Sequence, residues 1–159
     1  MPEAEFDTHA GFVQALHALV QGAVEQRARR LVFVDPSFED WPLESVELLA
    51  ALTAFVRLPG RQVLLFGRSF ETLRRTRPRL VAWRRTWSHA VPAARPADPE
   101  VALPTLALAD RALALTLREP GIWRGALRAG GPEVVRLARE TDVWTQRSVP
   151  DFPVQVVGL

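Results

Sequence analysis

The first third of the chain changes from helical to strand-like hydrophobic spacing and back again. Residues 9–29 place apolar side chains three and four positions apart, after Asp7 or Thr8 as the helix cap. Residues 31–34 (LVFV) are β-branched and aromatic and end at an Asp-Pro turn, which is typical of a buried strand. Residues 43–57 return to helical spacing before a Leu-Pro-Gly stop. The pattern predicts helix, strand and helix.

A second strand over residues 62–66 completes a strand-helix-strand unit. Two strands joined through a helix in one sheet are almost always parallel, with a right-handed crossover. Ser69 is placed to cap a short helix that runs through Arg75. Pro78 suits the first turn of the next helix. We therefore expect a parallel pair of strands followed by two short helices.

The second half of the chain has a different pattern. Residues 89–100 are rich in proline, which favours an edge strand or an extended connection over a central strand. Residues 106–108 and 113–117 read as two strands of a hairpin that turns at Asp110. Residues 132–146 have the apolar spacing of a last helix.

These elements predict an α/β fold with a mixed sheet and helices on both faces, in which a βαβ unit is followed by a hairpin and a C-terminal helix. A chain of 159 residues, 48% hydrophobic, suits one domain, which we place at residues 1–150. Residues 151–159 form a tail whose apolar end, VQVVGL, is expected to pack on the body of the domain or on a partner.

Composition excludes several chemistries. The chain has no cysteine, so a disulfide framework, a thiolate metal site and a thiol nucleophile are all excluded. The acidic start of the chain does not resemble a signal peptide, and no apolar run approaches the roughly 20 residues needed to cross a bilayer. These features predict a cytoplasmic protein that does not contact a membrane.

Charge is distributed unevenly along the chain. All twenty basic residues are arginine, and the formal charge is only +2. The sequence pI near 10.7 overstates the basicity, because little titrates between neutral pH and the arginine pKa. Residues 61–95 hold nine arginines against one acid, whereas residues 1–60 hold four against nine. The middle of the chain is therefore the expected site for an anionic partner.

Common catalytic and nucleotide-binding signatures are missing: there is no HExxH, GxSxG, GxGxxG or Walker loop. His9 and His17 are eight residues apart on one helix, about 12 Å along its axis, which is too far for a shared metal ion. We expect no metal and no cofactor, and we name no catalytic residue.

Ligands of open α/β sheets bind beyond the carboxyl ends of the strands. After the first strand this rule points to a cleft at Asp35, Asp40 and Trp41, and after the second strand to Arg68 and Ser69. A structural interpretation competes with it. In that interpretation Asp35 belongs to a turn, Trp41 anchors a loop and Ser69 is only a cap.

Arginine and tryptophan alternate in the basic middle of the chain. Guanidinium and indole groups together can hold phosphate or stack on single-stranded bases. Our candidate anion-binding residues are Arg68, Ser69, Arg84, Arg85 and His89. We favour a competing interpretation for the helix itself: the tryptophans at positions 83 and 87 form a buried stripe with Leu80, and the arginines are its solvated face.

The order of elements, with Asp110 in the hairpin turn, resembles one half of the phospholipase D superfamily over residues 28–147. That family carries His-x-Lys-x(4)-Asp in this hairpin, and aligning its aspartate with Asp110 puts Leu103 and Thr105 at the histidine and lysine positions. Leu117 begins the segment where Gly-Ser-x-Asn should fall. The resemblance implies a scaffold without the family's activity. Because active members combine two halves, it also implies a homodimer.

Three functions follow as expectations. The leading one is a non-catalytic binding module whose arginines contact a phosphate-containing or nucleic-acid ligand. The second is a hydrolase, for example a phosphodiesterase, that uses Asp35, Asp40 or His89 as acid or base. The third is an accessory subunit of another enzyme.

Overall fold

The computed structural model describes residues 3–154, and the elements below are those within that range. In chain order they are β1 Ala4–Phe6, α1 His9–Glu25, β2 Arg30–Asp35, α2 Val46–Val56, β3 Gln62–Gly67, α3 Glu71–Thr76, α4 Pro78–Thr86, β4 Ala93–Pro96, β5 Leu106–Ala109, β6 Leu113–Glu119, β7 Arg124–Ala129, α5 Pro132–Gln146 and β8 Ser148–Pro150.

All eight strands join one mixed sheet in the order β1-β7-β6-β5-β2-β3-β4-β8. Strands β2, β3 and β4 are parallel, and the other pairings are antiparallel. The β2–β3 register runs from Arg30 beside Gln62 to Asp35 beside Gly67. The predicted α/β class, the parallel βαβ unit and the β5–β6 hairpin are therefore confirmed.

The two faces of the sheet pack against different helices, because successive side chains of a strand point to opposite faces. Leu31 and Phe33 of β2 belong to the large core that also contains buried residues of α1 to α4. Val32 and Val34 belong to a smaller core with Val134 and Ala138 of α5. Helices cover both faces, as predicted.

Side-chain caps set the starts of the first two helices. Thr8 Oγ1 accepts a hydrogen bond from the Gly11 N–H at 3.0 Å, so Thr8 is the cap of α1. Ser45 Oγ accepts from the Leu48 N–H at 3.2 Å, and α2 begins after it rather than at Leu43. Ser69 does not cap α3 in this way. The N-cap of α3 is Phe70, and the Glu71 N–H reaches Ser69 Oγ at 3.4 Å.

Three strands were not predicted. β1 and β8 have three residues each, too few for a periodic pattern, and β7 reads RGALRA, with weak strand formers. Because β8 pairs with β4, the expectation that residues 89–100 form an edge strand or an extended connection is wrong. Strand β4 lies inside the sheet between β3 and β8 instead of at its edge. It is short, and Pro92, just before the strand, contributes only its carbonyl, which accepts from the Leu65 N–H at 3.0 Å.

The chain after α5 returns to the body of the domain. The Asp151 N–H donates to the Ala93 carbonyl at 3.1 Å, and Phe152 is buried. The rest of the predicted apolar tail, residues 155–159, lies outside the described residues. Within residues 3–154 no helix has the length and apolar character needed to span a membrane.

Candidate functional site

Two arginine-lined pockets of similar size lie at opposite edges of the parallel strands. The carboxyl-edge pocket, about 400 Å³, follows the ends of β3 and β4 and is lined among others by Arg68, Ser69, Glu71, Arg74, Arg95 and Asp151. The second, which we call the indole–arginine pocket, has a volume of about 420 Å³ and lies where β3 begins. Its polar and aromatic lining is Arg57, Arg61, Gln62, Trp87 and His89.

Each arginine of the carboxyl-edge pocket already has a partner. Arg68 donates to the Pro99 carbonyl, and Arg74 pairs with Glu71. Arg95 Nε lies 3.6 Å from an Asp151 carboxylate oxygen. The hydrogen bond from Arg74 lowers the pKa of Glu71 below its ordinary value, so this carboxylate stays charged. Three cations against two anions leave the pocket a formal charge of +1.

In the indole–arginine pocket no carboxylate offsets the positive charge of the arginines within the described lining. Its described lining contains no aspartate and no glutamate. Arg61 donates from Nη1 to the Pro59 carbonyl at 2.8 Å, but its Nε is buried without a hydrogen-bond partner among the described residues. Because Nε is buried, only the remaining Nη donors of this guanidinium can reach a ligand. The ring of Trp87, half-buried, lies beside the exposed His89 with centroids 6.2 Å apart.

The five predicted anion-binding residues do not converge. Arg68 and Ser69 lie at the carboxyl edge, whereas His89 lies at the amino edge. Arg85 is exposed on α4. Arg84 corrects our expectation, because it is only 5% exposed and cannot serve a surface site.

Arg84 instead holds the C-terminal segment to the domain. Its Nε donates to the Val91 carbonyl at 2.8 Å, and its Nη1 donates to the Phe152 carbonyl. The guanidinium carbon lies 4.6 Å from the centre of the Phe152 ring, a cation–π contact. Burial lowers the pKa of Arg84, but two carbonyls and one aromatic face replace its hydration shell.

The helix α4 also differs from the predicted tryptophan stripe. Leu80 is buried as expected, but the other buried side chain is Arg84. Trp83 and Trp87 pack against the core while staying half-buried. Trp83 Nε1 donates to Thr53 Oγ1 at 2.8 Å, so this indole ties α4 to α2.

The proposed strand-end cleft separates into three environments. Asp35 Oδ2 accepts from the N–H groups of Ser37 at 3.1 Å and Phe38 at 2.7 Å, and Oδ1 accepts from the Thr105 hydroxyl. Asp40 is exposed, and Trp41 is 2% exposed in a cluster of phenylalanine rings. Asp35 therefore stabilises a turn, and Trp41 anchors the loop, as the structural interpretation expected.

The positions aligned with the phospholipase D motif are also structural. Leu103 is buried in the smaller core, and Thr105 is the hydrogen-bond donor to Asp35. Asp110 has a left-handed backbone conformation (φ 49°) and lies at the amino edge of the parallel strands. Its two carboxylate oxygens accept from the N–H groups of Arg29 and Arg30, both at 2.9 Å. Asp110 thus fixes the start of β2.

Arg57 and Arg61 were not predicted as site residues from the sequence. A charge count over neighbouring residues could not find the site, because Arg57 falls in the acidic first third of the chain. A usable signal was present: both residues flank the Leu-Pro-Gly stop of α2, which the fold must place at the amino edge of β3. Within residues 3–154 no group of three or more histidine, aspartate or glutamate side chains could hold a metal ion.

Comparisons with known proteins give a structural likeness. No protein-family model matches the chain, and no curated protein matches it. The solved structure of TrmBL2, an archaeal chromatin protein described as showing a novel mode of DNA binding, superposes with a TM-score of 0.64 and 8% sequence identity. The match covers 95% of this chain and 55% of that one, so the chain spans about half the length of the archaeal protein. At this identity the chain is shown to share a fold with TrmBL2, and nothing more.

Proposed function

We propose that this chain is a non-catalytic binding module that holds a nucleic-acid strand at the indole–arginine pocket. The observation that carries the proposal is the composition of that pocket: two guanidinium groups and an imidazole beside an indole, with no carboxylate in the described lining. Guanidinium groups bind phosphate oxygens in a bidentate way, and indole rings stack on bases of any sequence.

Neighbouring arginines extend the positive edge. The register of β2 and β3 puts Arg30 beside Gln62, so the start of β2 lies at the same edge as the pocket. Arg27 and Arg29 precede this strand and are exposed. Asp110 is the acid beside them, and its carboxylate accepts from the backbone N–H groups of Arg29 and Arg30 rather than from their guanidinium groups. A nucleic-acid strand carries several phosphates and can contact several of these arginines at once, whereas a single phosphate can contact only a few.

The fold comparison supports nucleic acid among the possible phosphate compounds. TrmBL2 is described as a DNA-binding protein, and it shares the fold of nearly the whole chain. The support concerns the ligand class only, because the identity is 8%.

We propose in addition that the scaffold is a phospholipase D-like half that lacks the catalytic residues. This part of the proposal rests on Leu103 and Thr105, which stand at the positions of the family's nucleophile and phosphate-binding lysine. The hydrolase alternative is less favoured, because both carboxylate oxygens of Asp35 already accept hydrogen bonds from the protein. The accessory-subunit alternative has no observation of its own.

Titration of the purified chain with a fluorescent single strand of about 12 nucleotides tests the proposal. We expect saturable binding that weakens strongly between about 50 and 200 mM salt. The variant Arg57→Gln/Arg61→Gln should lose at least about ten-fold in affinity. The control Arg118→Gln/Arg124→Gln removes the same charge from exposed positions near the β6–β7 connection and should bind like the native chain. No binding at low salt, or equal losses in both variants, would overturn the proposal.

The homodimer stays a prediction. Light scattering at tens of micromolar should give twice the chain mass of 17.7 kDa if the prediction is right. A monomer under those conditions would remove the dimer and leave the proposed binding site unchanged.

A further inference from the structure

A third pocket lies under α5, on the opposite face of the sheet from α1 and α2. We call it the α5 pocket; its volume is about 420 Å³. Its apolar wall is formed by Val32 of β2, Leu108 of β5 and Ala138 of α5. Its polar lining is Arg30, Asp110, Arg111, Thr141 and Asp142. The size is within the range of small-molecule sites, about 300–1,000 Å³.

In the α5 pocket two arginines share one carboxylate, that of Asp142, at ion-pair distances. Asp142 Oδ1 lies 3.6 Å from Arg30 Nη1, and Asp142 Oδ2 lies 3.9 Å from Arg111 Nη2. Both distances exceed the roughly 2.7–3.2 Å of an N–H···O hydrogen bond. Arg30 Nε has no hydrogen-bond partner among the described residues, but it is buried, so a ligand would meet the Nη groups of Arg30. The rim therefore keeps donors on the arginines and acceptors on Asp142 that a ligand can use.

The formal charge of the lining is zero, since two arginines face two aspartates. One of these, Asp110, is already engaged by the backbone N–H groups of Arg29 and Arg30. A lone anion would meet the repulsion of Asp142, and a lone cation that of the two guanidiniums. A ligand that carries both charges satisfies both sets of groups at once.

We propose that the α5 pocket binds a free α-amino acid with an apolar side chain. The carboxylate would take the unused donors of Arg30 and Arg111, and the ammonium group would donate to Asp142. The side chain would lie against the aliphatic wall of Val32, Leu108 and Ala138. This inference goes beyond nucleic-acid binding and does not depend on it, because the residues of the α5 pocket and of the indole–arginine pocket are different.

Arginine side-chain NMR provides a direct test, because the groups proposed to bind the carboxylate are guanidiniums and the chain has no lysine. The full chain is labelled with ¹⁵N-arginine and titrated with L-leucine, with 4-methylpentanoate, which lacks the ammonium group, and with 3-methylbutylamine, which lacks the carboxylate. We expect L-leucine to shift the Nε–H signals of Arg30 and Arg111 in a saturable way. Each analogue should bind at least about ten-fold more weakly, the cost of one lost charge-assisted interaction.

Two variants control the assignment. Arg111→Gln changes an exposed side chain of the pocket and should weaken L-leucine binding at least about ten-fold. Arg139→Gln changes an exposed arginine of α5 that does not line the pocket and should have no effect. The inference is overturned by any of three results: no saturable shift with L-leucine, equal binding of either analogue, or equal losses in the two variants. A single-stranded oligonucleotide that shifts Arg57 and Arg61 but not Arg111 would support the nucleic-acid site separately.

Discussion

The carboxyl-edge pocket and the indole–arginine pocket are nearly equal in volume, and both are lined by arginines at one edge of the same parallel strands. They differ in what surrounds the guanidinium groups. At the carboxyl edge, Arg74 and Arg95 face Glu71 and Asp151, while at the amino edge no carboxylate lines the pocket within the described residues. On the proposed function, a phosphate strand binds at the edge where no carboxylate stands beside the guanidinium groups.

From the sequence, the carboxyl edge is the favoured ligand site, whereas the proposed site lies at the amino edge. The carboxyl edge is the usual ligand position in open α/β sheets, and it lies in the most basic part of the chain. Here it is the edge where the C-terminal segment docks, through Phe152 and Arg95. At this edge Arg95 therefore pairs with the docked C-terminal segment.

The largest expected effect concerns stability. Arg84→Ala removes two hydrogen bonds to buried carbonyls and the contact with the Phe152 ring. We expect the free energy of unfolding to fall by about 3 kcal/mol, measured by urea denaturation. Arg79→Ala, an exposed arginine on the same helix, should change it by less than about 0.5 kcal/mol. Equal stability of Arg84→Ala and the native chain would mean that the guanidinium does not hold the tail.

The next effect concerns stacking at the indole–arginine pocket. Trp87→Leu should weaken binding of a single strand by about ten-fold, because a base–aromatic stack contributes about 1–3 kcal/mol. Trp83→Leu is the matched control, since this indole is bonded to Thr53 and does not line the pocket. Fluorescence anisotropy measures both variants. Equal weakening of binding by the two substitutions in folded protein would contradict base stacking on Trp87.

The smallest effect is a gain at the other edge. Glu71→Gln/Asp151→Asn leaves Arg74 and Arg95 without their carboxylates and raises the formal charge of the carboxyl-edge pocket from +1 to +3. We expect affinity for a single strand to rise by about three-fold at low salt, with the gain disappearing at high salt. Unchanged affinity at low salt would show that pairing with carboxylates is not what keeps this pocket from binding.

Hydrophobic periodicity predicted the elements with long, regular patterns. The βαβ unit, the hairpin around Asp110 and helix α5 all have enough apolar positions to fix their type. Strands β1 and β8 were missed because each has three residues and is held in place by pairing with distant strands, β7 and β4. No local pattern carries that information.

The site residues were predictable only in part. Arg68 and Ser69 were placed correctly at the carboxyl end of β3, because strand direction fixes that edge. The burial of Arg84 could not be predicted, since one of its acceptors, the Phe152 carbonyl, is 68 residues away in the chain. Arg57 was overlooked because a charge average along the sequence groups it with acids that lie elsewhere in the fold.

The salt dependence of nucleic-acid affinity is the sharpest test of phosphate contacts at the indole–arginine pocket. Each phosphate contact to a single strand contributes about 0.7 to the slope of log affinity against log salt. We expect Arg57→Gln/Arg61→Gln to lower the magnitude of this slope by about 1.4 and Arg118→Gln/Arg124→Gln to leave it unchanged. Equal slopes in both variants and the native chain would contradict the assignment of phosphate contacts to the indole–arginine pocket.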